Sequence, residues 1–367
     1  MLLDSRIVKM AEVLVGYSLG VQKGWMVTIT ATPAALPLVQ AVCREVINAS
    51  AHPYILLEPP GIKEILLQYG NDDQLTRVDP YQMLMVEKSD AVLRIKSEEN
   101  TRSANNVDPA RLGLLQKGAQ PIGAVFMQRI MDNRPHCLTL YPTQAYAQDA
   151  EMSLTEWEDF VFRACLLDGD EDSVARWKEV SREQQRIVDW LVGKKGIHIE
   201  APGTDIRMSI EGRNFVNSDG KRNFPSGEVF TSPVEESVEG NIYFTYPASH
   251  NGRTVQGVRL TFDKGVVTQF SADAGEDYLA AMLKVDDGAK RMGEFAIGTN
   301  KGVTRITRNV LFDEKIAGTI HCALGNGYPN AGGKNKSAIH WDIVTDMKEG
   351  RIVVDGETLY ENGIFVF

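Results

Sequence analysis

Through the first half of the chain, short apolar runs alternate with helical periodicities. Trp25–Ile29 (WMVTI), Tyr54–Leu57 (YILL) and Ala91–Ile95 (AVLRI) are near-continuous apolar segments of strand length, the pattern of strands covered on both faces. Helix-like spacing fills the stretches between them, from Leu38 to Asn48 and from Gly61 to Tyr69. That alternation predicts α/β layering with parallel strands. At the start, Ile7, Met10, Leu14, Tyr17 and Val21 repeat at helical spacing behind Asp4, a plausible N-cap. Asp4 and Glu12 interrupt what would otherwise pass for a signal peptide, so the segment reads as an amphipathic helix. Two longer helical patterns run from Ser153 to Leu166 and from Asp172 to Val192, the second stopped by Gly193, with DGDED between them as a solvated connection.

After Gly196 the texture changes. Ile197 and Ile199 alternate with polar neighbours, a turn-rich APGTD follows, and Ile206, Met208 and Ile210 alternate again, which predicts a hairpin. Val258, Leu260 and Phe262 lead through DKG into a further apolar run. DG and NG turns separate short strands around Ile352–Val354, Leu359 and Ile364–Val366. The expected fold class is α/β, α+β overall: an N-terminal α/β domain with parallel strands over residues 1–194, and a β-rich C-terminal domain over 195–367.

The length of 367 residues agrees with two domains of ordinary size. With 43% hydrophobic and 24% charged residues the composition is that of a folded globular protein, and no apolar run approaches the roughly 20 residues that span a bilayer. A net charge of -10 opposes nucleic acid and anionic lipid, so neither is an expected partner. Cys43, Cys137, Cys165 and Cys322 are far apart and form no CxxC pair, which points to a reducing, cytoplasmic setting rather than a disulfide framework or zinc finger.

Chemistry concentrates in the β-rich half. Of the six histidines, His52, His136, His198 and His250 have nothing ligand-like at useful spacing and read as structural. In SAIHWDIV, His340 and Asp342 are two apart, so on a strand both leave one face while Ile339, Trp341 and Ile343 face the core. An imidazole and a carboxylate so placed suit a divalent metal, although HxD alone is often a surface pair. His321 ends an apolar run followed by a Gly325-Asn326-Gly327 turn that reverses the chain and exposes Tyr328. Glu228 and Glu294 each follow a glycine and open an apolar segment. A carboxylate there is costly to bury unless paired or metal-bound, and otherwise caps a strand edge in water. Cys322 points away from His321 and reads as a buried thiol. The glycines at 325–327 and 332–333 lack the remainder of a dinucleotide or phosphate loop, and HExxH and GxSxG are both absent.

In order along the chain, GEVFTSP, GEFAIGTN, LFDEKIAGTIHCALGNGYP and SAIHWDIV closely resemble the M29 family of metallo-aminopeptidases. The likeness is strongest from about residue 220 onward and rests on compatible length and texture before that. It implies an aminopeptidase acting on peptides, with two divalent metal ions (Zn, Co, Mn or Mg) held by Glu228, Glu294, His321, His340 and Asp342. Glu294 takes the bridging position, and Glu314 and Tyr328 fall at positions the family associates with the metal centre. Either Glu294 or Glu314 would handle the water proton, and Tyr328 would ligate a metal or donate to an oxyanion. The resemblance also implies a homodimer. The short interval from His321 to His340 departs from longer members, which bears on the substrate pocket more than on the ligands.

The competing expectation is a mononuclear Fe(II) ring-cleaving dioxygenase of the hydroxypyridine type, with His321, His340 and Asp342 as its facial triad. Retention of Glu228, Glu294 and Glu314 argues against it.

Overall fold

The computed structural model describes residues 4–169, 171–250 and 252–367. Asp170, in the acidic connection read from the sequence, lies outside the described residues. Packing divides the chain into two compact units: one takes the chain up to Arg176 together with Gly220–Pro225, the other Trp177–Asp219 and Ser226–Phe367. The passage from helical to strand texture near residue 195 falls inside the second unit, because the Ser173–Leu191 helix buries Ile187, Val188 and Leu191 in that unit's core.

In the first unit Met26–Ala31 lies between His52–Leu57 and Ala91–Lys96. His136–Leu140 and Asn223–Phe224 extend the sheet beyond Ala91–Lys96, and every pairing is parallel. Parallel neighbours need crossovers, which helices such as Leu36–Asn48 and Pro109–Met131 supply. Val27, Ile29 and Leu93 are fully buried, as the unbroken apolar runs require. Asp4 caps the opening helix Ser5–Val13 by accepting from the Arg6 backbone N–H.

His136 opens a strand here, and its Nδ1 accepts a hydrogen bond from the Arg222 guanidinium at 2.9 Å. Burial, reinforced by the charge of Arg222, depresses its pKa to about 4. Between that value and the ordinary 6.5 the unfolded chain binds a proton that the native chain refuses, so stability falls as pH drops through this window. His136→Gln is therefore expected to flatten the acid limb of the pH–stability curve, by up to about 3 kcal/mol near pH 4. Urea titrations at pH 7 and pH 4.5 check this; an unchanged pH dependence would refute it.

The second unit is antiparallel. An eight-stranded sheet includes the hairpin Gly196–Ala201 and Thr204–Ser209 and the C-terminal strands Arg351–Val354, Glu357–Glu361 and Ile364–Phe365. Asp355 and Gly356 (φ 51° and 86°) and Asn362 and Gly363 (φ 51° and 87°) supply the left-handed turn residues that the DG and NG signals predicted. A five-stranded sheet has the spatial order His340–Asp346, Thr319–Gly325, Met292–Gly298, Glu228–Thr231, Val216–Ser218. One core joins both sheets, with Ile199, Ile206 and Val354 from the first and Phe295, Ile297, Ile320, Trp341 and Ile343 from the second. The fold class is thus α/β in its parallel part and antiparallel β in the remainder, as the sequence pattern predicts.

Candidate metal centre

The five-stranded sheet has an apolar face and an ionic one. Alternation sends Phe295, Ile297, Ile320, Cys322, Trp341 and Ile343 into the core and turns Glu228, Glu294, His321, His340 and Asp342 the other way. Ala323 lies directly between Glu294 and Asp342 in one cross-strand row, and Ala296 lies between His321 and Phe230 in the next. These two small residues leave a low floor over which the longer side chains converge. Cys322 is a buried thiol of the opposite face, and burial pushes its pKa up, so it is no nucleophile.

The glycine before each acid has a steric reason. A Cβ on Gly293 would stand 2.3 Å from the Asn326 carbonyl oxygen, and that oxygen accepts the Nδ1–H of His340 at 2.8 Å. A Cβ on Gly227, at φ 121°, would meet the Cβ of Asn300 at 2.7 Å. Beside it, Gln184 donates to the Glu228 carbonyl at 2.8 Å and so fixes the backbone of that ligand candidate. Neither acid caps a strand edge in water: Glu228 is 4% and Glu294 3% exposed.

Five of the expected ligand groups meet. His340 Nε2 lies 3.0 Å from Glu294 Oε2 and 3.4 Å from Asp342 Oδ1. His321 Nε2 lies 3.8 Å from Glu294 Oε1, 3.9 Å from Asp342 Oδ1 and 3.7 Å from Glu228 Oε2. Glu294 therefore turns one oxygen to each histidine, and Asp342 Oδ1 faces both. The Nδ1–H of His321 is committed to the Glu314 carbonyl at 3.1 Å, as that of His340 is to Asn326. Backbone acceptors thus orient both rings and aim both Nε2 atoms at carboxylates. A neutral ring so held presents a lone pair to oxygen lone pairs, which only a proton or a cation between them satisfies. His321 Nε2, Glu228 Oε2 and Asp342 Oδ1 are buried without a hydrogen-bond partner. Orphaned donor-type atoms converging on one point are the residue chemistry a divalent ion needs.

Electrostatics agree. Burial opposes charge on the histidines, yet the facing carboxylates outweigh it: Glu294, with the charge of Glu228 and Asp342, raises His321 to about 9, and Asp342 and Glu294 hold His340 well above its usual range. Burial likewise opposes charge on Glu294 and Asp342; the two histidines facing Glu294 keep it low, and the charge of His340 keeps Asp342 low. Glu314 goes the other way: burial, with Glu228 and Asp342 nearby, pushes its carboxyl up to about 8 against the pull of Lys315. Without a cation, the cluster balances its carboxylates by holding protons on both histidines and on Glu314.

Glu314, after the short helix Val310–Asp313, brings a carboxylate oxygen within 4.8 Å of His321 and Asp342 ligand atoms. The Gly325-Asn326-Gly327 turn does reverse the chain, but Tyr328 is half-buried rather than exposed, its ring edge-on to His340 at 5.0 Å and tilted against Phe230 at 5.0 Å. Burial raises its phenol pKa well above the usual value, so the hydroxyl keeps its proton. Lys315 was missed by sequence reasoning. It is fully buried, and its ammonium donates to Glu228 Oε1 at 2.6 Å and to Glu314 Oε1. Burial opposes its charge, but the two carboxylates outweigh that and raise its pKa. The signal was a single cation inside the apolar-flanked segment LFDEKI.

The sequence model of the thermophilic metalloprotease (M29) family matches residues 3–365. The chain belongs to the M29 family. M29 relatives include Aminopeptidase 2 of Geobacillus stearothermophilus, 30% identical over 98% of this chain and 97% of the relative. Aminopeptidase T of Thermus thermophilus is 29% identical over 56% of this chain and 55% of its own length. The solved structure of wild-type AmpT from Thermus thermophilus shares the fold, with a TM-score of 0.86 at 21% identity over 99% of both chains. M29 membership makes the chain a metalloprotease, a peptide-bond hydrolase, as the four ordered motifs implied.

Proposed function

We propose that this chain is an aminopeptidase that removes the N-terminal residue of peptides at a centre of two divalent cations. The observation that carries the reading is Glu294 with one oxygen turned to each histidine, beside partnerless buried atoms of Glu228, His321 and Asp342. His340, Asp342 and Glu294 would hold one ion; His321, Glu228, Asp342 and the other Glu294 oxygen would hold the second. Bound there, two divalent ions lower the pKa of water and polarise a scissile carbonyl.

The remaining steps fall to the chain's own groups. Glu294 spends both oxygens on the two histidine positions, which leaves Glu314, tethered on its other side by Lys315, to accept the water proton and return it to the leaving amine. Tyr328, kept protonated by burial, donates to the developing oxyanion rather than ligating a metal. An ionic face rich in carboxylates attracts the free ammonium of a peptide N-terminus, which accounts for exopeptidase action. Cys43, Cys137 and Cys322 are in no disulfide, which fits work in the cytoplasm. A ring-cleaving dioxygenase would need only His321, His340 and Asp342; it offers no use for buried Glu228 and Glu294, or for largely buried Glu314, around the same point.

The test is metal content and amide hydrolysis together. Protein prepared without chelator should carry about two divalent ions per chain and cleave a leucyl chromogenic amide but not its N-acetylated form, with activity lost to a chelator and restored by Zn²⁺, Co²⁺ or Mn²⁺. One iron per chain with oxygen uptake on a dihydroxypyridine, and no amide cleavage, would replace this reading.

A further inference from the structure

A lysine with no exposed surface must be explained, because an ammonium taken out of water needs compensation from every side. Lys315 finds it in two groups of the candidate centre, Glu228 Oε1 and the Glu314 carboxylate. It leaves Glu228 Oε2 facing His321 Nε2 at 3.7 Å without a hydrogen-bond partner. Each carboxylate is therefore held by one oxygen, and Glu228 offers only the other to the His321 position.

We propose that Lys315 is an internal counter-ion and positioning residue: it compensates the carboxylates of the site before cations bind, restricts Glu228 to one-oxygen ligation, and weakens the cation held at the His321 position. The inference rests on the two-cation reading. Its logic is a count of charge. Glu228, Glu294, Glu314 and Asp342 supply four negative charges, which two divalent cations balance alone. The ammonium is then a fixed positive charge in excess, a short distance from an ion in a site of low dielectric. Repulsion of a divalent ion at that range outweighs the loss of two hydrogen bonds to carboxylates that are free to turn toward the ion instead. Without the cations the balance reverses, since the same ammonium then offsets repulsion among buried carboxylates. Lys315 thus favours the metal-free chain over the loaded one and keeps one ion exchangeable.

The test is calorimetric titration of Mn²⁺ into chelator-stripped wild type, Lys315→Met and Lys315→Arg, with thermal unfolding measured at each metal level. Wild type is expected to take up two Mn²⁺. In Lys315→Met one of the two events should tighten at least tenfold, and the metal-free protein should unfold at lower temperature, with Mn²⁺ restoring it. Lys315→Arg keeps the charge and should show no such tightening. If Lys315→Met folds only when Mn²⁺ is supplied, that also supports the proposal. Lys315→Met that binds Mn²⁺ as wild type does, or more weakly, would overturn it, as would a variant unfolded with and without Mn²⁺, which would mark the lysine as a packing element. A wild-type chain that takes up no Mn²⁺ would instead sink the two-cation reading and this inference with it.

Discussion

Glu294→Gln should reduce the metal content from about two ions per chain to less than one and lower leucyl-amide hydrolysis on the order of a thousandfold, about 4 kcal/mol of barrier. Glu294 faces the two histidine positions with separate oxygens, Oε1 at 3.8 Å and Oε2 at 3.0 Å, whereas Asp342 faces both through Oδ1 alone. The amide is isosteric, and its N–H donates to an imidazole lone pair, so the fold should survive. It carries no charge and offers one oxygen, so it cannot bridge. Metal analysis and initial rates, on a variant whose circular dichroism matches wild type, check both parts. Wild-type metal content in this variant would show that the bridge is elsewhere.

Trp341→Ala should cost about 3–5 kcal/mol of stability, the range for truncating a large buried aromatic side chain. Trp341 is 1% exposed, and its ring lies 5.5 Å from that of His250 and 5.8 Å from that of Tyr278. It sits between His340 and Asp342 but faces the opposite side of the sheet. His340→Ala is the informative partner. It removes a proposed ligand from the other face of the same strand and should abolish activity at a smaller cost in stability than Trp341→Ala, because Glu294 and Asp342 can take up protons in its place. Denaturant unfolding of the two metal-free variants separates the faces: equal losses of stability would mean that strand alternation does not divide core from site.

The parallel strands at Met26–Ala31 and Ala91–Lys96 were legible because strands covered on both faces are mostly apolar, whereas His52–Leu57, read from YILL as a buried strand, is the sheet edge and leaves Tyr54 and Ile55 exposed. The His136–Leu140 strand and the Pro109–Met131 helix were not. HCLTL is short and mixed, and Gly113, Gly118, Pro121 and Gly123 blur the helical period. At the centre, His340 and Asp342 could be placed on one face from spacing alone. His321, Glu228 and Glu294 acquired meaning only from their order in the four motifs, since which strands become neighbours is a long-range matter. Lys315 shows the limit most plainly. Its burial depends on Glu228, 87 residues away in sequence, and nothing local distinguishes it from a solvated lysine. The orienting carbonyls of Glu314 and Asn326 are likewise invisible, because every residue carries one.

The proposed donors are spread over four consecutive strands of one sheet: Glu228, then Glu294, then His321, then His340 with Asp342. A slip of one residue in any of these pairings would turn that strand's donors into the hydrocarbon interior and its leucines and isoleucines out. Only one alignment of the strands therefore assembles a complete coordination shell. An ion held as proposed would act as a fastener that closes on the native alignment and on none of its misaligned competitors, so metal supplied during refolding is expected to raise the yield of correctly threaded protein.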